Sequence, residues 1–249
     1  AAAIRGESMS ALLANFPCNP TGAVLDADDT ARLARVAQDT GVVLIADEVY
    51  ARLRYDGVAP QTLLAHAPDH TVAIGSAGKE VLLPGARVGW VVTAPPHAHL
   101  TDKVLRKLIR ANTASPSVLA QRRLLPLVEA DLARPGRMDA LREELCGRRD
   151  ALLAVLARHD MRPVGRPNHA PQGTIFLVAS LPPWWPASRP DTEFCEAAIA
   201  GGWFSAIPAS AFALDPGARF AFGSMPMDAI ERLDAALAAM REDCVGDAP

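Results

Sequence analysis

The run Val42-Val43-Leu44-Ile45-Ala46 constrains this chain more than any other stretch. It is continuous, apolar and rich in β-branched residues, the pattern of a parallel strand covered on both faces. A helix-patterned segment, Asp26 to Thr40, precedes it. Asp26 is placed to cap that helix, Leu33, Val36 and Ala37 share a face, and Gly41 suits its C-terminal end. Ser10 to Phe16 upstream, and Thr71 to Gly75 and Val88 to Thr93 downstream, are further short strand candidates. Strand, helix, strand at this spacing predicts an α/β layer with crossover connections. Asp47 follows the apolar run directly, and in an open α/β sheet the carboxyl ends of the strands face the ligand crevice.

The middle of the chain turns helical. Pro96 to Ala111, Pro116 to Ala133 and Gly136 to His159 carry helix-like spacing, with a break expected at Pro135-Gly136. The last of these is long enough to run between two domains. A different pattern follows: Thr174 to Ala179 as strand, Asp191 to Ala200 as helix, Phe204 to Ile207 as an extended piece, Arg219 to Phe222 as strand and Met227 to Met240 as a closing amphipathic helix. That is a small α+β unit, and the expected division falls between residues 1–134 and 135–249. Leu181-Pro182-Pro183-Trp184-Trp185-Pro186 reads as a rigid, partly apolar loop, lining a site, covering a partner or simply exposed.

Half of the 249 residues are apolar, 21% are charged and the formal net charge is -3. No block of like charge points to nucleic acid or a membrane surface, and no apolar run approaches the ~20 residues a membrane span needs. The four cysteines, Cys18, Cys146, Cys195 and Cys244, form no C-x-x-C pair, which argues against zinc or a disulfide framework and for a reducing, cytoplasmic setting. The histidines show no metal spacing, and His97 and His99 receive no role. The start, Ala1-Ala2-Ala3-Ile4-Arg5-Gly6, has no apolar signal core and reads like the end of a helix from something longer.

Four short motifs carry chemistry: Asn19-Pro20-Thr21-Gly22, Asp47-Glu48-Val49-Tyr50, Gly75-Ser76-Ala77-Gly78-Lys79, and Arg87 between Gly85 and Gly89. They supply an amine nucleophile, an anion clamp, a carboxylate and a phenol, the set a pyridoxal 5'-phosphate (PLP) enzyme needs. Each has a plainer alternative. Lys79 alone would be a solvated loop lysine, Asp47 a helix cap, Asn19 an ordinary turn residue and Arg219 a strand-edge arginine. Arg87 as a surface ion pair fits poorly between glycines that suggest a tight backbone path.

In order and spacing these motifs resemble the class I/II aminotransferases of PLP fold type I. The stretches Ile74 to Lys79 and Phe204 to Phe212 are most similar to the branch holding kynurenine aminotransferase, glutamine transaminase K and methionine aminotransferase. The resemblance implies a partial large domain, a mostly parallel sheet with flanking helices, followed by the small α+β domain. It implies Lys79 as Schiff-base lysine and proton shuttle, Asp47 on the ring nitrogen, Tyr50 and Asn19 on the phenolic oxygen, and Ser76 and Arg87 on the phosphate. Tyr55, the only other tyrosine, sits in no matching motif. Arg219, with Asn19, would hold the substrate α-carboxylate, and the Asn19-Pro20 peptide is expected to be cis. The implied reaction moves an amino group from an α-amino acid with a large side chain to a 2-oxo acid, in a homodimer. A cysteine-S-conjugate β-lyase and a non-catalytic regulatory module are the alternatives. The family's chains begin upstream of Ala1 with further strands, a phosphate-binding loop and a ring-stacking aromatic, so open sheet edges are expected here.

Overall fold

The computed structural model describes residues 9–246 except 96–98, 100, 114–115, 135, 137 and 166–169. The N-terminal hexapeptide, His97 and the expected break at Pro135 lie outside the described residues. Two compact units divide the chain: one runs through Pro17 and resumes over Val24–Met138, the other combines Cys18–Ala23 with the chain from Asp139 onward.

In the first unit, β1 (Ala11–Asn15), β2 (Val43–Asp47) and β3 (Thr71–Ser76) are parallel neighbours, and β4 (Gly89–Thr93) adds antiparallel to β3. Helix α1 (Ala27–Thr40) joins β1 to β2, and the short α2 (Leu63–His66) lies before β3. The ends of α1 are chemically fixed. Asp26 Oδ1 accepts from the Asp29 backbone N–H at 2.7 Å, and Gly41 takes the left-handed conformation while donating to the Ala37 carbonyl.

The expectation that the Val42–Ala46 run is covered on both faces needs correction, because burial alternates along β2. Leu44 and Ala46 are buried with Ala14 and Ala73, and Leu33 of α1 and Leu63 and Leu64 of α2 pack in the same cluster. On the opposite face Leu13 is 66% exposed. Both helices of this unit that join the core lie on one side of the sheet, so apolarity alone does not report two-sided cover. The edges are open as expected: β1 and β4 are the outer strands, and Trp90 and Val92 of β4 are exposed.

The structure has one wide helical turn at Thr101–Leu105, then α3 (Arg106–Thr113) and α4 (Val118–Ala133), whose N-terminus is capped by Ser117. Arg106, Arg110, Arg122 and Arg123 are exposed, as their helical placement implies.

The second unit is a three-stranded antiparallel sheet, ordered β5 (Phe176–Ser180), β7 (Gly217–Ala221), β6 (Ile207–Pro208), with α5 (Asp139–Arg158), α6 (Asp191–Ala200) and α7 (Met227–Gly246). Helices α5 and α7 pack together, and Leu152, Leu177, Phe194, Phe220 and Ile230 are among its fully buried side chains. The extended piece expected at Phe204–Ile207 forms a strand only at Ile207–Pro208, because the chain then turns into a 3₁₀ segment, Ala209–Phe212. The proline-rich loop is anchored rather than exposed. Trp185 is buried, edge-on to Phe194 at 5.3 Å, and the Arg189 guanidinium lies 4.0 Å from its ring.

Candidate active site

Strand register brings the first group of predicted residues to one edge. Asn15 pairs with Asp47 and Asp47 with Ile74, so these side chains project from one face, and Ser76, two residues past Ile74, joins them. That face is opposite the buried cluster of Leu44, Ala46 and Ala73. All three polar residues end their strands. Asn15 Nδ2 donates to the Asp47 carbonyl at 3.3 Å, a tether that the sequence did not announce. After Asp47 the chain turns sharply: Oδ1 of Asp47 lies 3.4 Å from the Val49 nitrogen, and Ala51 N donates to the Glu48 carbonyl. This turn buries Tyr50 to 3% exposure.

Lys79 stands on a single helical turn, Ala77–Glu80, that starts directly after β3. The Ser76 hydroxyl accepts from Gly78 N at 3.2 Å and caps this turn. The Lys79 ammonium lies 5.8 Å from the centre of the Tyr50 ring, inside cation–π range. The predicted amine and phenol are therefore neighbours. Arg87 lies two residues before β4, and the backbone just after it runs beside the lysine turn, since Ala77 N donates to the Val88 carbonyl and Ser76 pairs with Gly89. The glycine argument for Arg87 needs correction. Gly85 faces open space, and the left-handed residues are Leu82 (φ 51°) and Arg87 itself (φ 50°). The bend is made by residues with side chains, and only Gly89, whose Cβ would sit 3.1 Å from the Gly75 carbonyl, is confined by contact.

A group that sequence reading passed over lies beside Lys79. Glu80 borders a cavity of about 430 Å³ that Glu48, Arg52, Thr62, Gly75 and Trp90 also line. Burial pushes the Glu80 carboxyl up from its ordinary value near 4.5 to about 7, Arg52 and the Ser76 backbone N–H pull it down, and the charges of Glu48 and Asp131 add to the rise. Arg52 is itself salt-bridged to Asp131. The folded state thus keeps a proton on Glu80 that the unfolded chain releases near pH 4.5, so stability falls as pH rises through this window and levels off above about 7. Glu80→Gln is expected to gain thermal stability over the parent across that window, by at most ~3.5 kcal/mol at ~1.4 kcal/mol per unit. Melting curves at pH 5 and pH 8 that show the same difference between the two proteins would contradict this.

The remaining predicted residues belong to the second unit. The loop Cys18–Ala23 closes on itself through Cys18 N to the Ala23 carbonyl (2.7 Å) and Gly22 N to the Cys18 carbonyl (2.8 Å). The Asn19-Pro20 peptide is cis, and so is Phe16-Pro17. Gly22 has φ 71°, and a Cβ there would come within 2.6 Å of Pro171. Arg219, at the centre of β7, donates from Nη1 to Asn19 Oδ1 at 3.1 Å. Its guanidinium carbon lies 4.4 Å from the Phe176 ring and 4.8 Å from the Phe212 ring. Neither phenylalanine was singled out from sequence, because nothing local marks two rings 36 positions apart as one clamp.

Among the described residues no cluster of three or more His, Cys, Asp or Glu is arranged to hold a metal, no cysteine is in a disulfide, and no helix is long and apolar enough to cross a membrane.

A mostly parallel sheet with a lysine turn, a carboxylate and a buried tyrosine at its carboxyl edge, followed by an α+β unit, is the architecture of fold type I aminotransferases. The solved aspartate aminotransferase of Thermus thermophilus superposes with a TM-score of 0.80 at 25% identity, over 93% of this chain and 56% of that one. N-succinyldiaminopimelate aminotransferase from Mycobacterium tuberculosis superposes with a TM-score of 0.77 at 31% identity, over 92% of this chain and 58% of that one. The family model "Aminotransferase class I and II" matches residues 2–237, and the chain belongs to that family. Its curated relatives include a probable N-succinyldiaminopimelate aminotransferase of M. tuberculosis (33% identical, 84% of this chain, 49% of the relative) and the methionine aminotransferase of Escherichia coli (28% identical, 86% and 53%). The chain thus spans about half the length of these relatives.

Proposed function

We propose that this chain is the lysine-bearing and carboxylate-binding part of a PLP-dependent aminotransferase that moves the amino group of an α-amino acid to a 2-oxo acid. The observation that carries the reading is Lys79 held over Tyr50 beside the strand end that presents Asp47. The donor set fits the cofactor: an amine for its aldehyde, a hydroxyl and a guanidinium at one corner for its phosphate, a phenol, and an acid for a protonated ring nitrogen. When bound, PLP supplies an electron sink for the carbanion left by removal of the substrate α-proton.

The protein residues divide the remaining work. Lys79 would anchor the cofactor through its amine and would hold and move the substrate α-proton at Nζ. Tyr50 would offer its hydroxyl to the cofactor's phenolic oxygen, while Ser76 and Arg87 would hold its phosphate. Arg219 binds the substrate α-carboxylate through its planar fork, with Asn19 fixing one edge of that fork. On this reading residues 1–134 are the C-terminal portion of a PLP-binding large domain and residues 135–249 a small domain. The branch motifs favour a large apolar, aromatic or amide side chain on the amino donor and a homodimeric, cytoplasmic protein.

Adding PLP to the purified full-length protein is expected to produce a visible absorbance band. A series of amino acids will bleach it, and a 2-oxo acid will restore it. A protein that leaves the free-cofactor spectrum unchanged would end this reading.

A further inference from the structure

A carboxylate far from Lys79 in sequence organises the Arg219 clamp. Asp191 opens α6 and is only 2% exposed. It accepts three hydrogen bonds from two other segments: Ser210 Oγ to Oδ1 at 2.6 Å, Ser210 N to Oδ2 at 2.9 Å, and Gly217 N to Oδ2 at 3.2 Å. Burial pushes its carboxyl up, but the bonds from Ser210, Gly217 and Thr192 outweigh it and hold the group below the ordinary carboxylate range. Asp191 is therefore a resident anion.

Each segment that it ties carries one part of the clamp. Ser210 lies in the 3₁₀ segment Ala209–Phe212, and Phe212, two residues on, stacks on the Arg219 guanidinium. Gly217 opens β7, and Arg219 stands two residues on. Gly217 has no freedom to drift, since a Cβ there would sit 2.5 Å from the Ala179 carbonyl of β5. The third surface of the clamp, Phe176, comes from β5 itself, two strand positions from Val178, the partner of Arg219. One buried anion thus fixes the base of the arginine and the ring that flattens it.

We propose that Asp191 is a positioning residue for substrate carboxylate binding, acting through Arg219 and Phe212. The inference rests on the reading of Arg219 as the carboxylate clamp. A guanidinium held between two rings is pre-organised, so a carboxylate binding to it gives up little rotamer freedom. Loosening the tie weakens ground-state and transition-state binding alike, which raises KM and spares kcat.

The test is a double-mutant cycle in the full-length holoenzyme. Asp191→Asn is expected to raise KM for the amino donor about tenfold, with kcat within about twofold. The milder Ser210→Ala, which removes one of the three bonds, is expected to raise it about threefold. Both are expected to leave the PLP absorbance band unchanged. In an Arg219→Ala background neither substitution raises KM further, because the group they position is gone. A melting temperature that falls in both variants while KM stays at the parent value would overturn the proposal, leaving Asp191 a staple of the fold. So would a KM increase of the same factor with and without Arg219. If Asp191→Asn does not fold, the Ser210→Ala arm of the cycle decides alone. An Arg219→Ala variant with parental KM would instead remove the carboxylate clamp reading itself, and the role of Asp191 with it.

Discussion

Lys79→Ala in the full-length protein is expected to eliminate the PLP absorbance band and to lower amino-group transfer by at least roughly 10³-fold, since on the proposed reading it removes both the nucleophile and the proton carrier. The chain has three lysines, Lys79, Lys103 and Lys107. The other two are exposed in the helical stretch 101–113. Among the described residues, substitution at position 79 leaves no other lysine on the turn that follows β3. Lys79→Arg separates charge from chemistry. It keeps a cation near the Tyr50 ring but cannot condense with an aldehyde, so it is expected to lose the band as completely as the alanine variant. Absorbance spectra and single-turnover transfer with a fixed amino donor check both. A Lys79→Ala protein that still forms the band would place the nucleophile elsewhere and refute the assignment.

What could be read from sequence follows the range of the interactions. Helix α1 was legible to the residue because Asp26 and Gly41 act on neighbours three and four positions away. Helix α6 was equally legible from its own spacing. Asp47, Ser76 and Lys79 were legible because strand ends are marked locally, by where an apolar run stops. The cover on β2 was not, since the apolar run specifies burial but not which of its faces a helix occupies. Strand β6 shrank to two residues for a similar reason: local extension is set by sequence, while pairing depends on β7, which lies about ten positions later. The second unit's clamp was half legible. Arg219 carries a motif, but Phe176, Phe212 and Asp191 meet it only through pairing and packing that no short window contains. Arg87 shows the opposite failure. Flanking glycines suggested where the backbone bends, yet the structure puts the left-handed conformation on the arginine itself.

Asp47→Asn is expected to cut transfer by about 10²–10³-fold while leaving the fold and the Lys79-dependent band in place. The substitution distinguishes two jobs that the same side chain does. As a local acceptor, Asp47 faces the Val49 nitrogen across 3.4 Å in the turn after β2. Asparagine does this about as well, so a purely structural role predicts a melting temperature and an activity close to the parent's. On the proposed reading Asp47 would also be the counter-ion for a protonated ring nitrogen, and a neutral amide cannot supply that charge. The strand pairing keeps position 47 in place in either case, through Asn15 on one side and Ile74 on the other. Loss of rate can then be read as loss of charge rather than of position. Asp47→Glu, which restores the charge one methylene further out, is expected to recover part of the activity. Equal kcat in the parent and Asp47→Asn proteins, measured at saturating PLP with the same amino donor, would show that the carboxylate is only a turn former.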